Sequence, residues 1–252
     1  MIQINFESDI PVYSQLADQI RKEIQANHME PGTMLPSDRE YCSMLNISHM
    51  TLKKAMEILV SDGLITRKKG VGTFVSPPKI KQELFSLSGF TGDNSGEERS
   101  VSSKVLEFTI GPCDPEIASR LSLAPETPVV VLERVRMIND EPVALEKAYL
   151  HCPDGQPEKL TAYDFGRESL YRVLREDFGI QLGYAQETIE IAYGSRRESQ
   201  YLSCSIDTPM FKLERTSYDT QGRAVELVQS FYRADKYIFS ATLIAPQSGS
   251  KQ

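Results

Sequence analysis

The chain has 252 residues, length for one to two domains, with 40% hydrophobic and 25% charged residues and a net charge of −7. That is the composition of an ordinary folded protein and excludes a disordered or fibrous chain. The first ten residues lack the basic start and apolar core of a secretion signal, and no stretch approaches the ~18 apolar residues of a membrane span, so a cytoplasmic protein without membrane contact is expected. Cys42, Cys113, Cys152 and Cys204 stand too far apart for a CxxC pair and are too few for a disulfide framework, so they read as free thiols; no metal or cofactor is expected.

From Pro11 to Asn27, Tyr13, Leu16, Ala17, Ile20 and Ile24 recur at three- and four-residue spacing and predict a first helix. Ser37 and Glu40 have the spacing of a capping box and start a short second helix, which ends at Leu45-Asn46-Ile47, where asparagine tolerates the left-handed backbone of a tight turn. Ser48 caps a third helix that buries Leu52, Ala55, Met56, Leu59 and Val60, shows His49, Met50, Lys53, Lys54 and Glu57 on its other face, and stops at Asp62-Gly63. Residues 64–67 and 73–75 read as two short strands around the basic turn Lys68-Lys69-Gly70-Val71-Gly72. Residues 1–75 as a whole carry 8 basic and 9 acidic side chains, so positive charge is focused on this one stretch rather than spread over the domain. Two short helices, a tight turn and a basic hairpin in this order are the arrangement that places side chains in a DNA major groove and touches phosphates beside it.

Pro11-Val12-Tyr13 with Gln15, Pro31-Gly32, Leu35-Pro36-Ser37-Asp38-Arg39-Glu40, Ile47-Ser48, and Gly63-Leu64-Ile65 leading to Gly70-Val71-Gly72-Thr73-Phe74-Val75 resemble the winged-helix domain of GntR-family transcription regulators. The resemblance implies DNA contacts from Arg39, Ser48, His49, Thr51, Lys53 and the turn at Lys69, Gly70 and Gly72. His49 and Lys53 stand where the family usually has arginine, and a neutral imidazole cannot copy a bidentate arginine contact to guanine, so a departure from the family's usual operator is expected.

Ser76-Pro77-Pro78-Lys79 and the polar residues after it predict a linker over 76–83, separating a DNA-binding domain at 1–75 from a second domain at 84–245, with a frayed tail at 246–252. Gly92 to Arg99 reads as a mobile loop. In the strand 131–137, Arg134 and Arg136 fall on one face, about 7 Å apart at strand rise, close enough to bracket one phosphate or carboxylate. Asn139-Asp140-Glu141-Pro142 makes a hairpin turn that brings Glu146 level with Arg134, so a plain cross-strand pair on a solvated face is the competing reading. A helix over 167–174 puts Ser169 in its first turn, where free amides favour an anion or the serine merely caps. Glu226, Val228, Ser230 and Tyr232 share one face of a later strand, suited to a polyhydroxylated ligand or to a structural hydrogen-bond network.

Leu132-Glu133-Arg134-Val135-Arg136 through Glu146, Ser169-Leu170-Tyr171, Tyr218-Asp219 with Gly222-Arg223, and Ser230-Phe231-Tyr232-Arg233-Ala234-Asp235 resemble the UTRA effector domain of the HutC subfamily. The resemblance implies an α+β chain whose second domain has a chorismate-lyase-like fold, an antiparallel sheet with flanking helices, that binds a small metabolite and dimerises. It implies effector contacts from Phe90, Thr91, Arg134, Arg136, Ser169, Glu226 and Tyr232, with Glu146 beside the arginines; Leu227-Val228 stand where relatives have small or polar residues. The expected function is a sequence-specific DNA-binding transcription regulator, a repressor acting as a homodimer on an inverted repeat of double-stranded DNA, under control of a small anionic effector such as a phosphorylated sugar. The alternative is an enzyme acting on a small anionic metabolite. HExxH, GxSxG and GxxxxGK[ST] motifs are absent from the sequence, and His28, His49 and His151 are scattered along it.

Overall fold

The computed structural model describes residues 2–84, 87–94, 99–152 and 156–243. Its first unit packs three helices, α1 (Val12–Ala26), α2 (Asp38–Leu45) and α3 (His49–Ser61), with a hairpin of β1 (Ile65–Lys68) and β2 (Gly72–Val75). The helical periodicity is cashed out in one core: Leu16, Ala17 and Ile20 of α1 meet Leu52, Ala55, Met56 and Leu59 of α3, with Tyr41 and Ile65 closing the sides. Each of the larger aliphatic side chains contributes roughly 1.5–3 kcal/mol by leaving water. The segment before α1 is tied to it by Gln15, whose side-chain amide donates to the carbonyls of Asn5 (2.9 Å) and Ile10 (2.7 Å) and accepts from Asn5 N–H (3.0 Å).

Helix boundaries fall where the local chemistry puts them. The Ser37 and Glu40 side chains bond each other's backbone amides in a full capping box, Asn46 is left-handed at φ 50°, and the Ser48 hydroxyl accepts from Thr51 N–H. The linker expectation at 76–83 is corrected in part, because Ile80–Glu83 form strand β3, paired in parallel with β10 (Tyr237–Ser240) at the far end of the chain. The two prolines stop a strand only at their own positions, and the polar residues beyond them find a partner that lies some 157 residues away in sequence.

The second unit is built on a six-stranded antiparallel sheet of β4 (Val101–Pro112), β5 (Pro128–Ile138), β6 (Glu141–Leu150), β7 (Leu182–Tyr193), β8 (Pro209–Asp219) and β9 (Ala224–Arg233), in the order β4-β5-β6-β9-β8-β7. The β5–β6 hairpin turns on Asn139 and Asp140, both at positive φ, as a two-residue turn requires. Leu160, Leu170, Val173 and Leu174, from a 3₁₀ turn (Pro157–Ala162) and α6 (Leu170–Glu176), cover Val130, Leu132 and Leu150 on one face. On the other face α5 (Pro115–Arg120) packs Ile117 and Ala118 on Val129 and Leu227, and Leu202, just past α7 (Arg196–Tyr201), packs on Val135 and Leu145. The loop expected at 92–99 is corrected at its start, where α4 (Gly89–Asn94) carries Gly92 to Asn94; residues 95–98 lie outside the described residues, as does the expected tail at 246–252. Among the described residues no helix is long and apolar enough to cross a membrane.

Candidate functional site

On the first unit, Arg39, His49, Lys53 and Lys69 to Val71 stand exposed, and Gly72 is half-buried. Ser48 and Thr51 are partly committed: their hydroxyls lie 2.9 Å apart and Ser48 caps α3. Lys53 Nζ is 3.7 Å from Glu57, one helical turn on, and Lys54 lies over the Tyr13 ring, so the two lysines of the recognition helix differ in their freedom to leave the protein. Asp38 is the hinge of this surface. It accepts from Arg67 at 2.6 Å and stands 3.6 Å from His49 Nε2, tying the start of α2 to the wing strand and to the first residue of α3. The wing turn itself needs glycine at Gly70 (φ 74°) and Gly72 (φ 152°), where a Cβ on the latter would stand 2.6 Å from the Met34 methyl. Asp38 and Met34 were not legible as parts of this face, since both act through contacts remote in sequence.

On the second unit, one face of the sheet carries a row of polar groups under α4 and α6. The register sets Arg134 opposite Glu146 and Glu146 opposite Ser230; one pleat along, Arg136 stands opposite Ala144 and Ala144 opposite Tyr232. The cross-strand pair expected from the sequence is present, but its expected solvated setting is corrected: Arg134, Arg136 and Glu146 are 3%, 2% and 5% exposed, covered by α4. Arg134 donates to Glu146 Oε1, Arg136 donates to Thr91 Oγ1 at 3.0 Å, and the Arg136 guanidinium lies 4.2 Å from the centre of the Phe90 ring. Nε and Nη1 of both arginines remain buried without a hydrogen-bond partner among the described residues. Four such donors are costly unless an acceptor reaches them, and one oxyanion with several lone pairs is the economical acceptor.

Seven of the eight residues expected here line one cavity: Phe90, Thr91, Arg134, Arg136, Glu146, Ser169 and Glu226. The eighth, Tyr232, stands behind Phe90, ring centres 6.4 Å apart, and supports the wall without lining it. Ser169 caps α6 by accepting from Arg172 N–H. Tyr171 and Arg215 also line the cavity and were missed as site residues. Tyr171 donates to Glu226 at 2.6 Å and presses against Gly89, where a Cβ would meet its ring at 2.9 Å. The signal for Tyr171 was its position two residues after Ser169. Arg215 on β8 had none, since its alternation resembles that of any exposed strand position.

The cavity sets its two carboxyls against each other. Burial alone would raise Glu146, but the charges of Arg134 and Arg136 outweigh it and hold its pKa at about 2. Burial raises Glu226, only partly offset by Arg215 and the Tyr171 hydroxyl. Arg136 falls to about 10 through burial and the neighbouring Arg134, and stays cationic at neutral pH. A carboxyl with a depressed native pKa contributes stability that is present above its unfolded value, near 4.5, and lost as the pH falls toward 2; one with a raised native pKa favours the folded state at low pH and loses that contribution as the pH rises through its folded value. Glu146→Gln is therefore expected to flatten the loss of stability between about pH 4.5 and 2, and Glu226→Gln to raise the melting midpoint at pH 7 but not at pH 4. Melting curves of both variants across pH 2–7 check the two signs.

The chain matches two family models: bacterial regulatory proteins, gntR family, over residues 12–75, and the UTRA domain over residues 96–238. It is 32% identical to the HTH-type transcriptional repressor NagR of Bacillus subtilis (strain 168), over 94% of this chain and 97% of that protein. It is 27% identical to the mannosyl-D-glycerate transport/metabolism system repressor MngR of Escherichia coli (strain K12), over 96% and 98%. Among solved structures, PhnF from Mycobacterium smegmatis matches with a TM-score of 0.64 at 28% identity, covering 91% of this chain and 99% of that one. A winged helix with its cap, turn and wing in place, joined to a six-stranded sheet with a buried arginine pair, with the two models matching residues 12–75 and 96–238 and NagR similar along 94% of the chain, makes this chain a member of the GntR family of bacterial regulatory proteins, in the subfamily that carries a UTRA domain.

Proposed function

We propose that the chain is a DNA-binding repressor whose operator affinity is set by a small anionic effector, a phosphorylated sugar, held by Arg134 and Arg136. The observation that carries this reading is the set of four buried guanidinium nitrogens on one wall of the cavity that have no hydrogen-bond partner among the described residues. The names of two relatives support the sugar part: the mannosyl-D-glycerate transport/metabolism system repressor MngR, and, 26% identical over 89% of this chain, the probable fructoselysine utilization operon transcriptional repressor of Escherichia coli (strain K12). Both are named as regulators, which favours this reading over an enzyme. Turnover of a candidate effector by the purified protein would reverse that preference.

The cavity in its present form has a volume of about 20 Å³, room for about one water. It adjoins a cleft of about 650 Å³ that shares Thr91, Ser169 and Tyr171 with it and continues past Arg172, Arg175 and Gln181. The anionic group of the effector enters the arginine well while its body lies in the cleft, and α4 with Tyr171 must give way to admit it. A melting screen against phosphorylated sugars, small carboxylates and uncharged sugars tests this. At a hundred times its dissociation constant a native-state ligand adds about 2.7 kcal/mol, or about 5–10 °C. A shift produced only by uncharged compounds overturns the anion site.

A single winged helix reads few base pairs, so the repressor acts as a two-fold dimer on an inverted repeat. The outer strand β7 supports joining through the second unit, since among the described residues its edge is unpaired, and it exposes Tyr184, Ile191 and Tyr193. Light scattering is expected to give twice the chain mass, free and bound to DNA; a monomer in both states removes the proposal.

A further inference from the structure

The end of the recognition helix touches the effector-binding unit at the turn between β9 and β10. Gly63, which terminates α3 at φ 73°, has no room for a side chain: a Cβ there would stand 2.0 Å from the backbone oxygen of Asp235 and 2.9 Å from Lys79 Cε. Lys79 Nζ donates to the carbonyl of Ala234 at 2.7 Å. The positive φ explains why the helix stops at glycine; the approach of Asp235 is a second and independent demand for it.

The turn that makes this contact is braced on its own side. Arg233 donates twice to the Asp235 carboxylate (3.0 and 2.6 Å) and once to the Leu202 carbonyl (3.1 Å), and Lys236 Nζ stands 2.7 Å from Glu141. Ile80 N–H donates to Lys236 O at 2.7 Å, which starts the β3–β10 pairing. The residue before Arg233 is Tyr232, which packs on Phe90 and Tyr237, and Phe90 in turn carries the Arg136 guanidinium. The Tyr237 hydroxyl reaches Asn94 at the end of α4 at 3.4 Å. Two layers of side chain therefore separate the arginine well from the end of the recognition helix.

We infer that the Ala234-Asp235 turn, with Lys79, is a positioning contact that sets the orientation of the recognition helix on the effector-binding unit. Its docking goes beyond the linker, which fixes only the reach of one unit from the other. Any displacement of α4 and Phe90 that shifts Tyr232 moves the turn on which α3 rests, and a carbonyl seated directly over a glycine tolerates little sliding before contact is lost.

Amide exchange on the full chain tests the contact without need of an effector. Lys79→Met keeps the side-chain stem and removes the ammonium group. It is expected to speed exchange about tenfold at the amides of Gly63, Leu64, Ile80 and Lys236, leaving the amides from Leu16 to Ile24 in α1 unchanged, and Lys79→Arg should restore the parent rates. Gly63→Ala should act on the same amides; Lys79→Met carries the test if that variant does not fold. Unchanged exchange at those four amides overturns the inference, and so does faster exchange throughout α1, which would mean that Lys79 only keeps the winged helix folded. The second readout uses a duplex selected from a random library by the parent protein: Lys79→Met should lower affinity for the intact inverted repeat about tenfold relative to a single half-site, and an equal change on both overturns it. If the parent selects no duplex, the repressor reading fails while the exchange result still decides the contact.

Discussion

Arg136→Met is expected to weaken effector binding about ten- to hundredfold and to abolish the effector's influence on operator affinity, with operator binding itself within about twofold of the parent protein. The size follows from losing one charge-assisted hydrogen bond at about 1.5–3 kcal/mol, at about 1.4 kcal/mol per decade. Arg136 is the informative choice because its one direct hydrogen bond in the protein goes to Thr91 Oγ1 at 3.0 Å, with the Phe90 ring against its guanidinium and Glu146 farther off at 3.7 Å. Arg134 is different. It is the hydrogen-bonded partner of Glu146 at 5% exposure, and Arg134→Ala leaves that buried carboxylate with only Arg136 Nη1, 3.7 Å away; breaking a buried pair in this way typically costs about 3–5 kcal/mol of stability. The double variant Arg134→Met/Glu146→Leu removes both charges together and is expected to melt closer to the parent than Arg134→Ala does, while still failing to bind the anion. Calorimetric titration with the sugar phosphate that gives the largest melting shift, together with operator anisotropy, checks these outcomes. A normal response from Arg136→Met places the anion elsewhere.

The second large effect is expected at the DNA surface. Arg39→Ala and Lys53→Ala should each weaken operator binding about tenfold or more, since a lost base or phosphate contact is worth about 1–3 kcal/mol and a dimer loses it twice. Both side chains are exposed on the polar sides of their helices, so neither substitution should move the melting midpoint by more than a degree or two. Salt dependence separates their roles: loss of a phosphate contact lowers the slope of log affinity against log salt by about one per contact and weakens all sequences alike, whereas loss of a base contact relaxes preference at one position. If affinity stays within twofold for both variants, the groove is read by other residues.

The two surfaces were legible in the sequence to different degrees, and the difference is physical. Everything in the first 75 residues that depends on near neighbours could be read directly. The Ser37–Glu40 capping box, left-handed Asn46, the Ser48 cap, Gly63 after α3 and the glycine wing each express the conformational preference of one residue or a hydrogen bond spanning three, and the structure places all of them where the sequence put them. The face of the strand that carries Arg134 and Arg136 was likewise set by a period of two, but the level of Glu146 opposite Arg134 also needs the register shift between Arg136 and Met137, because the two-residue turn alone would set Leu145 there.

Only the tertiary structure decided what covers those residues and what else converges on them. A strand with alternating charges reads as a solvated face until α4 and α6 are laid over it; then the same alternation becomes a buried ion pair with unfilled donors. Arg215 enters from β8 because β9 is inserted between β6 and β8, an order of strands that no local pattern encodes. Gly63 shows both levels at one position. Its positive φ was implied by the end of a helix, while the Asp235 carbonyl seated over it comes from a turn more than 170 residues away, brought there by the packing of two units and the pairing of β3 with β10. Local hydrogen bonds and side-chain periodicity are properties of the chain and can be read along it; burial, and the cost of leaving a buried donor unpaired, are properties of the packed molecule and exist only once the fold has closed.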